Sequence, residues 1–195
     1  LTVVYENHGT VPLYLGDPVT TCTGLGRLFE LEDASGAPVT LDSGWCPVSC
    51  ENLLDFGSPP ICPAMGACYG DVALMLQPGA SYSTTWDGTV PLTRELPSEC
   101  VAVSDAYVPS PLTTCVQRVP LAPGDYVVSG TAWAELTCNA SQPDCTCTPD
   151  ATGTCTVFGG KVSAGAETRS VAYAPGTQEV HLVFQGPWAT PVLPF

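Results

Sequence analysis

The sequence predicts an all-β sandwich, on three observations. Short β-rich segments recur along the 195 residues with almost no helical periodicity. The 20 prolines and 19 glycines fall mostly between those segments, where they read as turns rather than as one disordered block. One turn scheme repeats, in which an apolar run leads through Pro-Gly into a β-rich strand: Pro78-Gly79, Pro123-Gly124 and Pro175-Gly176. Proline presets φ for the first corner of a type II turn, and glycine accepts the positive φ of the second.

In chain order, Leu1–Glu6 alternates and reads as a strand with Leu1, Val3 and Tyr5 on one face. Val11–Leu15 is a second short strand, ended by Gly16-Asp17-Pro18. Leu28–Glu32 is β-compatible, Asp33–Pro38 is a hairpin-type loop, and Val39–Leu41 returns from it. Residues 42–71 read as a disulfide-stapled insertion, with one short helix capped by Ser49 and stopped by Gly57. Val72–Leu76 resumes the sheet, and Tyr82–Trp86 is expected to pair back on it across Pro78-Gly79. Residues 87–114 read as a second insertion; Cys115–Leu121 and Tyr126–Leu136 form the next expected hairpin. Residues 137–156 are a third insertion, followed by strands at Thr156–Phe158, Thr168–Tyr173 and Glu179–Phe184 and an extended tail over 186–195. Together these make a single domain over 1–195.

Charge narrows the partners. Arg27, Arg94, Arg118, Lys161 and Arg169 are the basic residues in a chain of net charge −14. Five such residues cannot build a phosphate-binding face, which excludes nucleic acid and disfavours an anionic membrane surface. No apolar run is long enough for a transmembrane segment. Eleven cysteines point to an oxidising compartment, and hence to an extracellular or cell-surface protein whose signal peptide is already removed.

The cysteines offer local loop closures: Cys46 with Cys50, Cys62 with Cys68, Cys100 with Cys115, and Cys138 with Cys155. Cys145 and Cys147 are separated by one residue, so each pairs elsewhere. An odd count leaves one thiol free or intermolecular, and Cys22, far from the insertions, is the candidate. The spacing of Cys138, Cys145, Cys147 and Cys155 matches no zinc knuckle, so no metal and no cofactor is expected.

Catalytic constellations do not emerge. His8 falls in a turn, and His181 lies opposite Val180, Leu182 and Phe184, as an exposed sheet histidine does. There is no Gly-x-Ser-x-Gly elbow, and the acids scatter singly through loops. Asp150–Gly153 lacks the alternating ligands of a calcium loop. Asn139-Ala140-Ser141 is a glycosylation sequon. Trp133 shares a side with Thr131 and Glu135. Either a bulge at Gly130 turns it into the core, or it stands at a contact surface.

Leu76, Pro78, Gly79 and Trp86, followed by Pro123, Gly124, Tyr126, Val128 and Gly130, form a strand-and-turn scheme that resembles the BsuPI-type proteinase-inhibitor domain. The resemblance covers roughly residues 1–136 and implies an immunoglobulin-like antiparallel sandwich, here with disulfide-stapled insertions. The expected role is non-enzymatic: a secreted or surface structural or binding subunit that self-associates, in a homo-oligomeric or fibrous assembly, or joins another surface protein. The apolar Trp188, Val192, Leu193 and Phe195 of the tail are the candidate inter-subunit contacts. Two alternatives stand beside it. One is a proteinase inhibitor presenting Arg94 on a rigid exposed loop, Pro91–Leu96. The other is a lectin-like or metal-binding module.

Overall fold

The computed structural model describes residues 1–16, 28–41, 49–50, 72–96, 113–140 and 143–186. The described residues hold eleven strands: β1 (Thr2–Asn7), β2 (Leu13–Gly16), β3 (Phe29–Asp33), β4 (Val72–Leu76), β5 (Ser81–Thr85), β6 (Thr89–Glu95), β7 (Thr114–Pro120), β8 (Tyr126–Cys138), β9 (Thr154–Phe158), β10 (Gly160–Tyr173) and β11 (Glu179–Phe184). The fold is all-β, with antiparallel and mixed sheets. The chain divides into two compact units, one of Leu1–Pro38, Met65–Asp87 and Gly124–Phe195, the other of Val39–Ala64 and Gly88–Pro123. Among the described residues no helix is long and apolar enough to cross a membrane.

The first unit holds two sheets in a sandwich-like arrangement. The smaller has the order β11-β1-β5, with β1 parallel to β11 and antiparallel to β5. The larger runs β10-β8-β2-β4-β9, and β3 pairs with β8 as well. Period-two alternation decides which side chains go inward. From the smaller sheet these are Val3, Tyr5, Val180, Leu182 and Phe184, all buried. The larger sheet contributes Leu13, Leu15, Phe29, Leu31, Leu74, Leu76, Val128 and Ala132. Tyr5 and Phe184 stack with ring centroids 6.1 Å apart. Trp86 meets Phe29 and Tyr173 edge-on or tilted, at 6.4 and 6.5 Å.

One polar side chain, Asn7, is fully buried among the described residues. Its amide donates to the carbonyls of Val11 and Leu76 at 2.9 and 3.0 Å, and its Oδ1 accepts from the Gly9 N–H at 2.9 Å. Burial is tolerated because every polar atom of that side chain has a partner.

The Pro-Gly turns are not hairpins. Turns 77–80 and 174–177 close by Ala80 N–H to Gln77 O and Thr177 N–H to Ala174 O, at 2.9 and 3.0 Å. Gly79 and Gly176 take φ of 79° and 104°; Gly124 stays out of the positive-φ region. Yet β4 and β5 lie in different sheets, as do β7 and β8, and β10 and β11. Both expected hairpins are therefore corrected. The two edges of β4 are already taken by β2 and β9, so β5 pairs with β1. Likewise β8 is flanked by β10 on one side and by β3 and β2 on the other, and β7 pairs with β6.

Smaller differences have local causes. Residues 39–41 form no return strand; Pro38 makes a single bridge to Glu32. The loop before it is held by Asp33, whose Oδ1 accepts from the Ser35 N–H, the Ser35 hydroxyl and the Ala37 N–H. Asp150 repeats the device with Thr152 and Thr154. These bonds, from the Ser35 and Thr152 hydroxyls first, hold both carboxyls below the usual range. Strand β10 starts at Gly160, eight residues before its expected start at Thr168, and absorbs an irregularity between Val162 and Ala164.

The second unit contains the ribbon β6–β7, antiparallel from Thr89↔Pro120 to Glu95↔Thr114. The expected loop over 87–114 is thus a strand for its first part. Ser49 bridges Val116 in parallel sense, and Cys50 is disulfide-bonded to Cys115.

Candidate functional site

The densest group of titratable side chains lies on the outward face of the smaller sheet. Alternation along β1 and β11 puts Glu6, Glu179 and His181 outward, against the buried Val3, Tyr5, Val180 and Leu182. His8 follows β1 by one residue, held by its N–H to Phe184 O at 2.8 Å. Both histidines of the chain meet one carboxylate. His8 Nε2 lies 2.7 Å from Glu6 Oε2, and His181 Nδ1 is hydrogen-bonded to Glu6 Oε1. The other ring nitrogen of His181, Nε2, lies 2.8 Å from Glu179 Oε1.

The charges shift each other. The hydrogen bond with Glu6, then that with Glu179, raises His181 above the usual histidine value. The bond from His181, with a smaller one from His8, lowers Glu6 below the usual carboxylate value. Among the described residues no group of three or more His, Cys, Asp or Glu side chains is arranged to hold a metal ion. Sequence reading placed both histidines at the surface and missed their shared partner. The signal was the repeated Glu-x-His of Glu6-Asn7-His8 and Glu179-Val180-His181, which alternation puts on one face.

The outward face of the larger sheet carries Trp133. The β8 pattern alternates without a break at Gly130, burying Tyr126, Val128, Gly130 and Ala132. No bulge turns Trp133 inward, and the indole stays half-buried, paired with Ala166 of β10 and Tyr14 of β2. Beside it run two hydroxyl rungs between β8 and β10, Thr131 with Thr168 and Ser129 with Ser170, each 2.8 Å.

The cysteines of the third insertion close a lid on this sheet. Disulfides join Cys138 to Cys145 and Cys147 to Cys155. Met75, Val157 and Cys145 form a second, buried cluster, with Tyr14, Leu136, Cys138, Cys147 and Cys155 packed against it. β4 is therefore buried on both faces: Leu74 and Leu76 toward the main core, Met75 under the stapled loop.

Three of the four local cysteine pairs expected from sequence are corrected. Cys138 and Cys155 are not partners. The chain folds back as soon as it leaves β8, bringing Cys145 within 5.3 Å Cα–Cα of Cys138, while Cys155 sits in β9 with Cys147 6.0 Å away. Cys115 pairs with Cys50 rather than Cys100, and Cys50 with Cys115 rather than Cys46, because the Ser49–Val116 bridge places them 5.0 Å apart. Cys22, Cys46, Cys62, Cys68 and Cys100 lie outside the described residues, as do Trp188, Val192, Leu193 and Phe195.

Arg94 does not stand on a rigid loop. It is exposed in β6 opposite Cys115, and its Nε donates to Gln117 Oε1 at 3.1 Å. Comparison with family models, with curated protein sequences and with solved structures finds no match to this chain.

Proposed function

We propose that the protein is a non-enzymatic binding or structural subunit of the cell exterior, built as an immunoglobulin-like sandwich and working through the outward face of its larger sheet. The observation that carries this reading is Trp133. It is half-buried in the outward phase of β8, at a position where the sequence had an alternative course into the core. Tryptophan and tyrosine are enriched among the few residues that carry most of the energy of a protein contact. The neighbours here are Tyr14 of β2 and Ala166 of β10, with the hydroxyl rungs Thr131–Thr168 and Ser129–Ser170 beside them.

Three disulfides among the described residues support the oxidising setting. The turn-and-strand residues of the BsuPI-type resemblance, together with first and last strands paired in the smaller sheet, support the immunoglobulin-like scaffold. The partner that this reading favours is a second copy of the chain.

The test is native mass measurement of the wild-type chain and of Trp133→Ala, with thermal melts of both. A wild-type oligomer that dissociates in the variant, at an unchanged melting temperature, is the expected result. A wild-type chain that stays monomeric up to high micromolar concentration would remove self-association.

A further inference from the structure

We propose that His181 is a proton-operated clip between the first and last strands, joined to Glu6 of β1 and Glu179 of β11 only while its imidazole carries two N–H groups. The inference is independent of the binding role proposed above. It rests on where the two ring nitrogens point.

Both nitrogens of His181 face carboxylate oxygens, Nδ1 toward Glu6 Oε1 and Nε2 toward Glu179 Oε1. An ionised carboxylate can only accept. A neutral imidazole has one donor and one lone pair, so it satisfies one of these oxygens and turns a lone pair on the other. The imidazolium donates to both. With both carboxylates ionised, the arrangement therefore fits the charged ring. Position strengthens the case. In the parallel register of β1 and β11, His181 stands beside Val4 and Glu179 beside Thr2, so the Glu6 bond runs diagonally across the strand pair. The Glu179 bond stays within β11.

Among the described residues of β1, β5 and β11, no other charged side chain shares this face. From β1 the outward residues are Thr2, Val4 and Glu6, and from β5 they are Ser81, Ser83 and Thr85. From β11 they are Glu179, His181 and Val183, and His8 reaches Glu6 from the turn. On losing its proton His181 releases one carboxylate.

The sign follows from linkage. The folded-state midpoint of His181 is raised, so its stabilisation is fully present below the unfolded value of about 6.5 and is lost as pH rises through the folded midpoint. Glu6 is lowered, so its share is lost only as pH falls through its own depressed midpoint. The clip is closed between those two limits.

The experiment is ring-nitrogen NMR of the full chain titrated from pH 4.5 to pH 9, with Glu6→Gln, Glu179→Gln and His8→Gln measured alongside. His181 is expected to titrate above about 6.5, and Glu6→Gln and Glu179→Gln each to lower its midpoint. Thermal melts give the second readout: the melting temperature of wild type should exceed that of His181→Gln near pH 6, and the gap should close by pH 9. A His181 midpoint at or below the ordinary value, one insensitive to both glutamine variants, or a gap that does not change with pH would overturn the proposal.

Discussion

Gly130 lies directly against Tyr5. A Cβ placed on Gly130 would stand 2.6 Å from the Tyr5 hydroxyl and 2.6 Å from Leu182 Cδ1. The phenol crosses the core here from the smaller sheet to reach the larger, and donates to the carbonyl of Leu28. Burial holds its ionisation well above the usual tyrosine value. Glycine at 130 is thus required by close approach, and the strand passes it without a bulge. Gly130→Ala should destabilise the chain by about 1–3 kcal/mol through overpacking. Gly130→Ala combined with Tyr5→Phe should recover part of the loss, because one of the clashing atoms is the hydroxyl oxygen. Urea unfolding of Gly130→Ala, Tyr5→Phe and the double variant measures both effects.

Asn7 separates hydrogen bonding from packing. Its amide donates to two carbonyls and its oxygen accepts one N–H, with the side chain wholly buried. Asn7→Ala leaves those three groups without their partner and should cost about 1–3 kcal/mol. Asn7→Asp keeps the shape but sets an acceptor against two carbonyls. It should be at least as destabilising as the alanine near neutral pH, and should regain stability toward pH 4 as the acid takes up a proton. The ordering of the three melting temperatures at pH 7 and pH 4 decides this.

The disulfides should rank by the length of chain they close. Cys50 and Cys115 are 65 residues apart, whereas the two bonds of the stapled loop span 7 and 8. The chain-entropy relation gives about 4 kcal/mol for the first and about 2.5 kcal/mol for each of the others. Paired serine variants under oxidising conditions should follow that order in denaturant unfolding. Removing both loop disulfides should also raise the solvent exposure of Met75, read as faster oxidation by peroxide, because the stapled loop is what covers it.

Which segments are strands was largely legible, because alternation and turn chemistry are local. Val3, Tyr5, Val180, Leu182 and Phe184 mark their inward faces without help from the rest of the chain. Partner choice was not legible. Pro78-Gly79 carries the composition of a hairpin turn, but β4 has no free edge to offer β5. Residues 87–114 read as loop, yet their first part is a strand that accommodates Pro91, because a two-stranded ribbon has an outward side on which a missing N–H is harmless. Cysteine pairing failed for the same reason, since the nearest partner in sequence is not the nearest across a bridge such as Ser49–Val116. The candidate cluster was half legible: each Glu-x-His pair is local, but its meeting across β1 and β11 spans 175 residues.

That parallel pairing constrains the order in which the molecule can be built. β1 is made before the other described strands and finds β5 within the next eighty-odd residues, but its other edge waits for β11. Until then β1 presents an open edge of alternating apolar residues, of the kind that recruits other chains. Pairings of such long sequence separation form slowly, after the loop-closure entropy has been overcome. Completion of the smaller sheet therefore waits until β11 has been made, and a nascent chain stalled before Glu179 should be the form that aggregates.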